Sequence, residues 1–92
     1  MKMDESFRTQ ELIDIDHAIE SFSVKMIYRM RTKMLQGYTG WATEGDVSSV
    51  SLLSRMLSKA SLLNPSDKDL IDIANFAMML YHRKHIREFG YE

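Results

Sequence analysis

Apolar side chains recur every three or four positions from Leu12 through Ile15, Ile19, Phe22, Met26 and Met30 to Met34. That spacing draws one continuous stripe along a helix. It predicts a first helix over residues 9–36, about 40 Å long. A second apolar edge runs beside the stripe at Ile13, Ile27 and Leu35. The glycines of Gly37-Tyr-Thr-Gly-Trp-Ala-Thr-Glu-Gly45 break the pattern and predict a loop. Asp46 is the expected N-cap of a second helix over 47–63. That helix carries Val47, Val50, Leu53, Met56 or Leu57, Ala60 and Leu63 as its apolar positions. Asn64-Pro65 ends it, because proline bars the preceding residue from α geometry. Ser66 and Asp69 have capping-box spacing and open a third helix over 67–88. No strand-like alternation and no internal repeat stands out.

The expectation is therefore a single all-α domain over 1–92, a long helical hairpin plus a shorter helix. At 92 residues a lone core is marginal. Three helices, two of them long, leave much apolar surface to cover. A homo-oligomer that completes four-helix bundles with helices of different chains is the simplest solution.

Charge narrows the function classes. The net charge of -1 speaks against general nucleic-acid binding and against a polybasic membrane anchor. The absence of cysteine excludes disulfides and thiolate metal sites. No apolar run approaches the roughly 20 residues that span a bilayer. No apolar stretch follows the charged start Met-Lys-Met-Asp-Glu, so a signal peptide is not expected and a cytoplasmic location is. The eight methionines fall mostly at core spacing, where their flexible side chains fill irregular gaps.

The candidate chemistry sits on the third helix. In Asp69-Leu-Ile-Asp72-Ile-Ala-Asn75-Phe-Ala-Met-Met-Leu80, residues three apart place Asp69, Asp72 and Asn75 on one line of an apolar helix. Buried carboxylates need a cation or donors to meet them. The capping box accounts for Asp69, whereas Asp72 lies a turn deeper and calls for its own partner. Arg55 and Lys59, four apart on the second helix, offer either ion pairs to those aspartates or contacts to a phosphate. On the first helix, acids (Glu11, Asp14, Asp16, Glu20) precede bases (Lys25, Arg29, Arg31, Lys33). This order complements the helix dipole, which is sufficient reason for it; a phosphate facing Lys33 and Arg29 is the alternative. Trp41 in the glycine-rich loop is either a stacking face for a nucleobase or a cap over the bundle end, and Tyr38 offers the same choice with less weight. The basic end of the third helix, with His82, Arg83, Lys84, His85 and Arg87, is explained by the dipole.

The segment D-x-x-D-I-A-N-F-A-M-M-L resembles the last core helix of small phage-type MazG-like proteins and of nucleotide-modification-associated helical domains. Gly37-Tyr-Thr-Gly40-Trp41 resembles the glycine/tryptophan loop of those proteins, and Leu52-Leu-Ser-Arg-Met-Leu-Ser-Lys59 their middle helix. The resemblance covers roughly residues 30–80 and rests on the order of the three pieces. It implies an all-α nucleotide pyrophosphohydrolase-like fold, dimers or dimers of dimers, and a Mg²⁺ site at Asp69 and Asp72. It further implies nucleotide contacts from Lys33, Trp41, Arg55, Lys59 and Asn75. Catalytic MazG-like proteins carry an E-x-x-E pair on the middle helix, and the matching positions here are Lys59 and Leu62. The expectation is thus a nucleotide-binding protein with a degenerate metal site, which a phage could use in the host cytoplasm to sequester a nucleotide or nucleotide-derived signal. An active Mg²⁺-dependent pyrophosphohydrolase and a structural helical adaptor are the alternatives.

Overall fold

The computed structural model describes residues 5–43 and 47–86. It contains three helices, α1 (Glu5–Leu35), α2 (Ser49–Ala60) and α3 (Asp67–Ile86). The all-α expectation holds, and no described helix is long and apolar enough to cross a membrane. α1 begins a turn earlier than expected. It ends where Gly37 permits: at φ +97° Gly37 occupies a left-handed position that other residues avoid. The Gly37 and Tyr38 amides donate to the carbonyls of Met34 (2.9 Å) and Lys33 (3.0 Å), a Schellman closure of the helix. This reversal brings Tyr38 back under Lys33, whose Nζ lies 4.6 Å from the ring centre.

α2 is shorter at both ends than its pattern predicts. Its N-cap is Ser48, whose hydroxyl accepts from the Ser51 amide at 3.1 Å. The expected cap, Asp46, lies outside the described residues. The helix stops at Ala60, ahead of Asn64-Pro65, with its last turn closed by the Ser61 amide on the Leu57 carbonyl. α3 starts as expected. Ser66 Oγ accepts from the Asp69 amide (3.2 Å) while Asp69 Oδ2 accepts from the Ser66 amide (3.0 Å), which completes the reciprocal capping box. The expected end at 88 lies outside the described residues.

α3 packs against both α2 and α1, whereas α1 and α2 do not pack on each other. The molecule is therefore an open V floored by α3. Among the described residues, the buried positions are Leu52 (2% exposed), Asn75 (2%) and Asp72 (8%). One correction follows for α2. Its regular apolar positions Val50, Leu53 and Leu57 face outward, with Leu57 66% exposed. Leu52 and Lys59 turn inward instead, together with Met56, the expected alternative to Leu57. Periodicity identifies which face of a helix is apolar, but the neighbouring α3 decides which face this chain covers itself. Along α1 every described side chain from 6 to 22 is exposed, since α3 is only 20 residues long and meets the second half of the 31-residue α1.

Candidate functional site, a cationic cleft between α1 and α2

The interior of the V is a cleft of about 350 Å³, inside the range of small-molecule sites. α3 supplies its floor with Asp72, Asn75, Phe76, Met79 and Arg83. α1 contributes Arg29, Met30 and Lys33, and α2 contributes Leu52, Arg55 and Lys59. Tyr38, Thr39 and Trp41 of the connecting loop close one end. The five residues expected to touch a nucleotide (Lys33, Trp41, Arg55, Lys59 and Asn75) thus come together from four different segments. Arg29, Lys68 and Arg83 join them.

Charge is concentrated here. Among the described residues, six cationic side chains line the cleft (Arg29, Lys33, Arg55, Lys59, Lys68 and Arg83) against the one carboxylate of Asp72. Half of the chain's 12 lysines and arginines therefore face one cavity, although the whole chain carries a net charge of -1. Asp72 Oδ1 accepts from Arg29 Nε at 3.0 Å, and its Oδ2 lies 3.5 Å from Lys59 Nζ. The partner that Asp72 requires is thus chiefly Arg29, distant in sequence, together with Lys59. Arg55 forms no ion pair among the described residues, leaving its guanidinium for solvent or an anion.

Lys59 also reaches Asp69 Oδ1 at 3.1 Å, so its ammonium stands between the two aspartates. The hydrogen bond that Lys59 donates to Asp69 leads the effects that hold Lys59 above its ordinary 10.5, with desolvation opposing. Asp69 in turn is lowered to about 2, first by the Ser66 amide, then by the Ser66 hydroxyl and Lys59. These neighbours bear on Mg²⁺. The ion needs near-octahedral oxygen ligands, whereas both carboxylates point at the same lysine. Among the described residues no three His, Asp or Glu side chains gather into a metal-holding group. Without a bound ion, the Lys59 ammonium supplies the positive charge that the two aspartates need.

A pH prediction follows from Asp69. A carboxyl group whose pKa is depressed in the folded state favours folding above its unfolded pKa of about 3.9. That contribution is lost as pH falls from about 4 through about 2. Melting temperatures measured from pH 6 to pH 2 should fall over this window, and Asp69→Asn should flatten that part of the curve.

Two further groups mark the cleft. Arg83 donates from Nε to the Trp41 carbonyl (2.8 Å) and from Nη1 to Ser49 Oγ (3.1 Å), fixing the loop to the start of α2. Its Nη2 is buried and finds no hydrogen-bond partner among the described residues. Asn75 donates from Nδ2 to the Met26 carbonyl on α1 at 3.3 Å, and its Oδ1 is likewise buried with no partner among the described residues. The Trp41 ring tilts against His82, with centroids 5.1 Å apart, so it both caps the bundle end and borders the cleft. Sequence reasoning assigned Arg83 to the helix dipole and passed over Lys68. The signal available for Arg83 was its position eleven residues beyond Asp72, three turns along the same helix. Comparison with family models, with curated proteins and with solved structures finds no match to this chain.

Proposed function

We propose that this chain binds a nucleotide or nucleotide-derived phosphate ester in the cleft, without turning it over, as part of a homo-oligomer. The carrying observation is the gathering of six cations around one small cavity that also presents Tyr38 and Trp41. Guanidinium groups match phosphate oxygens in planar, bidentate fashion, and aromatic rings offer a base its stacking face. Buried polar groups normally find partners. Arg83 Nη2 offers a donor for a phosphate oxygen, and Asn75 Oδ1 an acceptor for an exocyclic amine or ring N–H. The case against turnover is Lys59: it stands in sequence where the resembling pyrophosphohydrolases carry a carboxylate, and its ammonium lies between Asp69 and Asp72.

The test is a thermal-shift panel of nucleoside mono-, di- and triphosphates, linear and cyclic dinucleotides and inorganic pyrophosphate, each with and without Mg²⁺. Ligand at 100 times its Kd should stabilise the fold by about 2.7 kcal/mol. The expected outcome is a shift with at least one nucleotide that does not need Mg²⁺. Uniform silence across the panel would leave a structural adaptor as the better reading. Release of pyrophosphate with Mg²⁺, abolished by Asp72→Asn, would establish an enzyme instead.

A further inference from the structure

Among the described residues, neither α2 nor α3 covers the side chains of α1 from 10 to 22. Leu12, Ile15, Ile19 and Phe22 form its apolar stripe, and Leu12 and Ile19 are 62% and 61% exposed. Ile15 and Phe22, at 46% and 39% exposure, complete this uncovered stripe.

The second half of α1 carries the complementary surface. Between α1 and α3 runs an apolar groove of about 430 Å³, lined by Met26, Ile27, Met30, Met34 and Met78, with Arg31 on its rim. It shares Met30, Trp41 and Asn75 with the cationic cleft. A helix laid in this groove would form a back wall to the cleft.

The sequence of α1 is arranged to supply that helix from a second copy. Reflect its positions about the point between Phe22 and Ser23. Ile15 then falls level with Met30, and Ile19 with Met26. Asp14 falls level with Arg31, Asp16 with Arg29, and Glu20 with Lys25. Three of the four acids named on α1 thus come to the height of a base, while Glu11 falls level with Met34 and Leu12 with Lys33. A parallel pair would instead set acids beside acids and bases beside bases, and would leave both methionine grooves open. We infer that two copies of this chain pair through α1 in antiparallel fashion, with the two-fold axis near Phe22 and Ser23, each acidic first half lying over the methionine groove of the other. The inference rests on the homo-oligomer part of the proposed function and is independent of the ligand.

The chain lacks cysteine, so spin labels can be placed singly on the full-length protein. Leu35→Cys and Ser21→Cys, both exposed positions outside the groove, report the direction. At the helical rise, antiparallel pairing should separate the two Leu35 labels by about 40 Å and the two Ser21 labels by less than about 20 Å. Light scattering on the same samples should give two chain masses or a multiple of two. Short distances at both sites would mean parallel pairing, and long distances at both would mean another interface; either overturns the inference while leaving the oligomer intact. A mass of one chain at all concentrations would overturn the oligomer as well, whatever the nucleotide panel shows. Ile19→Asp should release monomers. If it fails to fold, the label distances still decide.

Discussion

Asp72→Ala should lower the unfolding free energy by about 3 kcal/mol, measured by urea denaturation at fixed protein concentration. The side chain is 11% exposed and answers Arg29 at 3.0 Å and Lys59 at 3.5 Å. Removing one member of a buried pair strands the other charge, at roughly 3–5 kcal/mol. The lower end applies because Arg29 and Lys59 keep some contact with water, at 21% and 30% exposure. Asp72→Asn should lose less, about 1 kcal/mol, since the amide oxygen still accepts from Arg29. A loss below about 0.5 kcal/mol in Asp72→Ala, the level of an ordinary surface substitution, would show that the carboxylate does not hold α3 to α1. The same variants separate scaffold from site. A stability change accompanied by an unaltered ligand response would assign Asp72 to the scaffold alone.

The double variant Lys33→Ala/Arg55→Ala should weaken binding of whichever nucleotide the panel identifies by at least about tenfold. Hydrogen bonds to charged groups contribute about 1.5–3 kcal/mol each, and partial solvent exposure discounts these two. Titration followed by Trp41 fluorescence reads the effect directly, since Trp41 is the chain's one tryptophan and borders the cleft. Neither side chain pairs with a carboxylate among the described residues, so stability should change by less than about 0.5 kcal/mol. Arg8→Ala/Lys84→Ala removes the same charge from exposed positions outside the cleft and should leave affinity nearly unchanged. Equal losses in the two double variants would mean that net charge governs binding, and would remove the case for a built site.

Much of the fold was legible because its signals are local. The stripe from Leu12 to Met34 specifies α1, Gly37 ends it, and Ser66 with Asp69 opens α3, each through neighbours within one turn. What stayed hidden depends on tertiary placement. Arg29 and Asp72 meet across 43 residues, and nothing in either segment names the other. The apolar row Val50, Leu53 and Leu57 reads as a core face, yet α3 covers the side bearing Leu52 and Lys59. Arg83 looks like an ordinary cation near a helix end. It becomes a cleft residue only because the chain reverses at Gly37 and brings the Trp41 carbonyl within 2.8 Å. Lys33, Arg55 and Lys59 were recognisable as candidates individually, whereas their convergence with Lys68 on one cavity needed the V shape.

Gathering six cations around the carboxylate of Asp72, among the described residues, has a kinetic consequence. A molecule with almost no net charge but a strongly polarised surface acts on ions as a dipole. A cationic cavity with low-dielectric walls focuses field lines, enriching anions at its mouth before contact. Encounter with a small anion should therefore be fast in dilute buffer and slow steeply as salt shortens the Debye length from about 30 Å at 0.01 M to about 8 Å at 0.15 M. The same field would orient the approach of a small anion, drawing its negative end in first.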